Sequence, residues 1–176
     1  MVYNKREQKE GLRMETLRLS HGFGPVIASD TEILVLGSFP SVRSREAAFF
    51  YMHPQNRFWK LLSDILGADF LTASPEEKRA LLLRFQIGLY DVIETCTVKG
   101  SSDASIREVR PADLPGILRG TQVRKILLNG KTAGNLFGRL FPAFPVPSEI
   151  LPSTSPANAK IAYPALKEAW EKALKE

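Results

Sequence analysis

Glu32-Ile33-Leu34-Val35-Leu36-Gly37-Ser38-Phe39-Pro40-Ser41 decides how this chain folds. Its first six residues read as an apolar strand, and the glycine- and proline-bearing tail ends that strand in a loop. Downstream the pattern alternates. A helix is expected across residues 56–66 and a second after the N-cap Ser74, with Pro75 at its first position. A short strand over 89–93, a polar loop over 99–108 and a helix near 112–119 precede a strong strand at 124–128. A helix over 131–140, a short strand over 148–151 and an amphipathic helix over 164–175 complete the chain. Strands alternating with helices argue for an α/β domain whose parallel sheet is covered on both faces, and such sheets place ligands at the carboxyl ends of their strands. The site is therefore expected in the loops after Leu36, Leu128 and Leu151. Upstream of the first strand, residues 1–13 are highly charged and lack apolar periodicity, so they read as a flexible extension, with Met14 an alternative start and residues 14–176 a single domain.

Composition narrows the function. The 176 residues are 44% hydrophobic and 24% charged, enough to bury a substantial core. The net charge of +5 and a pI near 9.4 suggest a polyanionic partner. No apolar run approaches the roughly 20 residues of a membrane span, and the opening Met1–Arg13 lacks a signal-like apolar stretch, so a cytoplasmic monomer without a membrane partner is expected. Cys96 is the single cysteine, which rules out an intrachain disulfide and reads as a small buried residue. With His21 and His53 the only histidines, a Cys/His zinc site or iron–sulfur cluster lacks ligands, and no metal or other cofactor is expected. Two decoys fall away. Gly130-Lys131-Thr132 resembles the tail of a phosphate-binding loop, but the glycine that should stand five residues earlier is Lys125. His21-Gly22-Phe23-Gly24 precedes the first strong strand instead of following it and reads as a loop.

The informative segment is Leu36–Ser41 followed by Phe50-Tyr51-Met52-His53-Pro54-Gln55-Asn56-Arg57-Phe58-Trp59. A strand ending in G-x-x-P-[GS], then an aromatic H-P-x-N-R-F-W run opening a helix, is similar to the mismatch-specific uracil- and thymine-DNA glycosylases. In its G-S-F-P-S and F-Y-x-H-P-x-N-x-F-W details the chain more closely resembles the hypoxanthine-DNA (deoxyinosine) glycosylase branch of the uracil-DNA glycosylase superfamily. The second superfamily motif is matched by Leu151-Pro152-Ser153-Thr154-Ser155-Pro156-Ala157-Asn158, and the resemblance runs from about Leu19 to the last helix. It implies a three-layer α/β/α sandwich with a short, mainly parallel four-stranded sheet, acting on double-stranded DNA that carries damaged bases. Hypoxanthine is the expected substrate, with mismatched uracil or thymine as the alternative, and a catalytically silent DNA- or modified-base-binding domain as the reading from another class.

Two departures from the family pattern carry weight. Phe39 stands where uracil-specific members hold a water-activating Asp or Asn, and Leu151 stands where a base-binding His or Asn usually begins the second motif. The resemblance to the hypoxanthine branch puts the catalytic role on Asn56, whose amide can hold a water or bond the flipped base but cannot titrate near neutral pH; capping the following helix is its ordinary alternative. Tyr51 is expected to stack on the extruded base, since a flipped base needs an aromatic face. The backbone N–H groups of Ser38, Phe39 and Ser41 are candidates to bond the base edge, with Leu151 beside it. Ser153, Thr154 and Ser155, with Lys131, Lys160 and His53, are candidate DNA contacts. No lysine stands at a matched motif position to form a Schiff base, so an abasic site is the expected product.

Overall fold

The computed structural model describes residues 16–99 and 105–176. The extension over 1–13, Met14 and the centre of the expected polar loop lie outside the described residues. The chain runs β1 (Thr16–Ser20), β2 (Ile33–Gly37), α1 (Val42–Ala47), α2 (Phe58–Leu66), α3 (Pro75–Arg84), β3 (Ile87–Asp91), β4 (Ile93–Lys99), β5 (Arg107–Pro111), α4 (Leu114–Leu118), β6 (Lys125–Asn129), α5 (Lys131–Leu140), β7 (Ser148–Leu151) and α6 (Tyr163–Lys175).

Parallel strands covered on both faces are apolar without alternation. β2 and β3 are buried at every residue, and they sit beside β6 and β7 in a parallel sheet of order β3-β2-β6-β7. Helices cover the sheet to give the three-layer α/β/α arrangement: α3 packs on β3, α5 on β6 and β7, and α2 against α6. In α2 the buried residues Phe58, Trp59, Leu61 and Leu62 form one stripe, while Lys60 between them stays exposed. α3 starts where Ser74 and Pro75 dictate. Ser74 Oγ accepts from the Glu77 N–H at 3.2 Å, and the Glu77 carboxylate accepts from the Ser74 N–H at 2.7 Å, a reciprocal capping box.

Three elements differ from the sequence expectation. The segment expected as one strand over 89–93 is the junction of two, with β3 ending at Asp91 and β4 running from Ile93 to Lys99. The expected polar loop over 99–108 is shortened from both sides, because β4 carries on through Thr95, Thr97 and Val98, side chains that suit a pleated surface, and β5 begins at Arg107. These strands join β1 in a second, antiparallel sheet of order β1-β4-β5. Its small core of Ile93, Cys96 and Val98 is joined by Leu19 and by Phe39 from the loop after β2. Phe39 therefore anchors that loop to the second sheet. α1 is an added short helix, started by Ser41, whose side chain accepts from the Ser44 N–H. The helix expected from position 56 begins at Phe58, and the one over 112–119 is a short turn of helix, Leu114–Leu118.

Candidate active site

The carboxyl ends of the parallel strands open into a cleft of about 710 Å³, bounded by the loops after β2, β6 and β7. Its floor is set by a glycine. A Cβ on Gly37 would lie 2.3 Å from Asp91 Oδ1 and 3.3 Å from the Tyr51 hydroxyl, so only glycine lets those two groups reach the end of β2.

Asp91, the last residue of β3, is 3% exposed and lines the cleft. Its Oδ2 lies 2.7 Å from His21 Nε2, and His21 Nδ1 lies 2.8 Å from the Phe23 carbonyl. His21 is held between Phe23 and Tyr90, both with ring centroids 4.4 Å away. Burial pushes the Asp91 carboxyl above the ordinary carboxylate range, opposed by the His21 hydrogen bond and charge. Asp91 Oδ1 has no hydrogen-bond partner among the described residues.

Tyr51 sits on a segment fixed at two points: the Met52 N–H donates to Ser44 Oγ at 3.1 Å, and the Trp59 indole donates to the Phe50 carbonyl at 3.2 Å. The clamp holds Tyr51 at φ 54°, a conformation a bulky residue rarely adopts. Its ring packs on Phe58 at 4.2 Å between centroids, and its buried hydroxyl lies beside Asp91 and Asn129 without a well-formed hydrogen bond. Burial, then the Asp91 charge, push this phenol far above its usual range, with Asn129 acting in the opposite sense.

Asn56 lines the cleft half-buried. Its Oδ1 accepts from the Phe58 N–H at 3.0 Å at the start of α2, whereas its Nδ2 has no partner among the described residues. One side chain, just before the N-cap residue Arg57, thus takes up the first helical N–H and presents two amide donors. His53 accepts the Gln55 N–H at Nδ1 at 3.1 Å, which leaves Nε2 as its other polar atom at the cleft wall.

The opposite wall is latched by Asn129, at the end of β6. Its amide donates to Thr154 Oγ1 and accepts from the Thr154 N–H, both at 2.9 Å. Thr154 borders the cleft but is fully buried, its Oγ1 accepting from Asn129 and its N–H donating to Asn129, unlike its partly exposed neighbours Ser153 and Ser155. Arg57 ties the same loop to α2, its guanidinium donating to the carbonyls of Ile161 at 2.8 Å and Asn158 at 3.0 Å. Gly130 has φ 101°, and a Cβ there would meet the Ser153 Cβ at 2.8 Å. Ser153 and Ser155 stay partly exposed along the cleft, Leu151 is a buried apolar wall residue, and Lys131 is exposed at the first turn of α5. Ser38 and Phe39 are half-buried in the cleft lining and Ser41 is exposed at its edge, while Lys160 is exposed outside the lining.

The structure thus gathers Asn56, Tyr51, Ser38, Phe39, Ser41, Leu151, His53, Lys131, Ser153 and Ser155 around one cleft. Sequence reasoning missed Asp91, His21, Asn129 and Arg57. The available signal for Asp91 was an acid closing an apolar strand, Leu89-Tyr90-Asp91-Val92.

Comparison with known proteins agrees with this geometry. A family model described as the uracil DNA glycosylase superfamily matches residues 24–175. A hypoxanthine DNA glycosylase from Methanosarcina barkeri is 34% identical over 156 residues, covering 88% of this chain and 97% of that protein. A hypoxanthine DNA glycosylase from Methanosarcina acetivorans is 32% identical over 154 residues, covering 87% of this chain and 96% of its own length. A solution structure from Methanosarcina acetivorans, described as a candidate uracil DNA glycosylase, superposes with a TM-score of 0.78 at 31% identity, over 90% of this chain and 98% of that one.

Proposed function

We propose, on the premise that the chain belongs to the uracil DNA glycosylase superfamily, that it is a monofunctional DNA glycosylase with hypoxanthine, the deaminated form of adenine, as its chief substrate. The base is flipped out of the duplex into the cleft. A water oxygen then bonds C1′ of the deoxyribose as the C1′–N9 bond breaks, its electron pair leaves with the base, and the water's spare proton ends on the base or in solvent. The products are free hypoxanthine and an abasic site.

The observation that carries this proposal is the Asn56 side chain. Because its Oδ1 is held by the Phe58 N–H, its Nδ2 donors are the part left to face a ligand. Glycosidic cleavage loads negative charge onto the leaving base, and preorganised donors aimed at that charge lower the barrier. The second lone pair of Oδ1 can also accept from the attacking water. Phe39 supplies neither function, since its side chain packs with the second core. Tyr51 and Phe39 are the aromatic side chains in the lining that keep exposed surface, and Tyr51 is the proposed platform for the flipped base. Among the described residues Lys131 is the one lysine lining the cleft, and its exposed place at the head of α5, beside uncapped helical N–H groups, suits a phosphate contact rather than a Schiff base at C1′.

The test is single-turnover excision from duplexes carrying hypoxanthine, xanthine, uracil or thymine, followed by alkaline cleavage at abasic sites. The wild type is expected to act on hypoxanthine fastest. Asn56→Ala should lower that rate by roughly 10²–10³-fold, as for loss of one preorganised polar group, at about 1 kcal/mol in stability for the lost cap. Asn56→Asp keeps an acceptor for the Phe58 N–H but has no donors, so it should fold normally and still be slow. A wild-type chain that shifts deoxyinosine DNA in a gel but leaves it alkali-resistant would be a binding domain and not an enzyme.

A further inference from the structure

Asp91 and His21 have no place in the mechanism so far, yet they form a buried polar pair beneath the cleft. The hydrogen-bond network fixes where their protons sit. The Phe23 carbonyl can only accept, so His21 Nδ1 carries a hydrogen. Between His21 Nε2 and Asp91 Oδ2, at 2.7 Å, one further proton is needed for a hydrogen bond, whichever atom holds it. Either way the pair as a whole carries no net charge, and Asp91 Oδ1 is left as a bare acceptor. That atom lies against Gly37, where a Cβ would come within 2.3 Å, and it has no partner among the described residues although Asp91 is only 3% exposed. Among the described residues the fully buried side-chain atoms without a partner are instead the Tyr51 hydroxyl and Thr95 Oγ1, so Asp91 Oδ1 keeps a small open face in the cleft lining, where a ligand can supply the donor it lacks.

Deamination supplies such a donor. In adenine, N1 is a lone pair beside an amino group; in hypoxanthine, N1 carries a hydrogen beside a carbonyl. We infer that Asp91 Oδ1 accepts the ring N1–H of the flipped hypoxanthine and that His21, by pairing with Oδ2, keeps this acceptor in a neutral pair. The inference rests on the excision proposed above and deepens it to a specificity-determining contact. The same oxygen would face the N1 lone pair of adenine repulsively, which rejects the undamaged base. Neutrality matters because an uncompensated carboxylate at the floor would oppose the negative charge growing on the leaving base.

The test is a cycle between the Asp91 side chain and the base edge. Duplexes carry either hypoxanthine or unsubstituted purine, which lacks both N1–H and the carbonyl, and single-turnover rates are compared for the wild type, Asp91→Ala and Asp91→Asn. Asp91→Ala is expected to lower the hypoxanthine-to-purine rate ratio by about 10–10²-fold, the cost of leaving the desolvated N1–H donor without its acceptor. Asp91→Asn should restore that ratio: its Nδ2 can donate to neutral His21 Nε2, and its Oδ1 again faces the base. Equal slowing of both substrates by Asp91→Ala, or a ratio in Asp91→Asn as low as in Asp91→Ala, overturns the inference. If Asp91→Ala fails to fold, product inhibition of the wild type serves instead: free hypoxanthine should inhibit at least about 10-fold more tightly than free purine, and equal inhibition overturns the inference. A wild type that releases no base from any duplex sinks the excision proposal and this contact with it, whereas excision of hypoxanthine with an unaltered ratio sinks this contact alone.

Discussion

Gly37 shows how one residue governs the cleft. Its missing side chain admits Asp91 Oδ1 and the Tyr51 hydroxyl to the same spot, and Asp91 cannot swing aside without breaking its 2.7 Å bond to His21. Gly37→Ala should therefore cost about 1–3 kcal/mol from overpacking and lower hypoxanthine excision with it, read as a drop in Tm and a slower single-turnover rate. Unchanged values for both would mean that the cleft floor can rearrange freely. The same atoms explain what was hidden in the sequence. Asn56 stands out because its H-P-x-N-R-F-W setting is contiguous, and even its two candidate roles, cap and ligand, are visible as alternatives. The two roles do not compete for the same atom, since Oδ1 accepts the Phe58 N–H next to the N-cap residue Arg57 and Nδ2 is left open. Asp91 depends on His21, 70 positions away, and no local pattern announces a partner at that range. The setting of Thr154 is hidden for the same reason: its Ser-Thr-Ser context suggests a phosphate loop, while its burial and its two bonds to Asn129 come from a residue 25 positions earlier.

Elements whose causes are local were legible. α3 follows from Ser74, Pro75 and Glu77, three residues that satisfy the open N–H groups of a first turn among themselves. Ser74→Ala should cost about 1 kcal/mol of stability and leave excision unchanged, because no residue of α3 lines the cleft; thermal unfolding and a rate measurement on the same preparation check both halves. β2, β6 and β7 were legible as well, the first two because apolar runs of this length need burial on both faces. The β1-β4-β5 sheet was not. Residues of β1 alternate in polarity, β5 is mostly charged, and their pairing through β4 joins Thr16 to Lys99, a contact that no window of neighbouring residues contains. The unread sheet bears on function, since Phe39 packs into its core and so places the loop after β2 against the cleft. A position where family resemblance expects a polar catalytic group is a packing anchor, and the proposed polar roles therefore fall to Asn56 and Asp91 from other elements.

At the scale of the whole molecule, the open question is how a cleft so sparingly charged inside engages a polyanion. The Asp91–His21 pair at its floor adds no positive charge, and the excess of 24 Lys and Arg over 19 Asp and Glu lies outside it, so attraction to DNA has to come from the exposed surface around the opening. The proposed phosphate contacts are exposed Lys131 at the head of α5, exposed Lys160 beyond the Ser153–Ser155 turn and the half-buried imidazole of His53. Each such contact releases condensed counterions, so log Kd for duplex DNA should rise linearly with log salt by about 0.9 per phosphate engaged. Three contacts would weaken binding roughly 40-fold between about 50 and 200 mM salt. Lys131→Ala should lower the slope by about 1. Chemistry within the bound complex should respond differently: the proposed base contacts are short, partly desolvated and far less screened than a surface lysine, so single-turnover excision at saturating enzyme should stay nearly flat over the same range. Fluorescence anisotropy on an abasic duplex and quench-flow on a deoxyinosine duplex separate the two. A Kd insensitive to salt would leave the basic surface without a role in binding, and an excision rate that falls as steeply as affinity would place the decisive charge contacts at the reacting base instead of on the flanking phosphates.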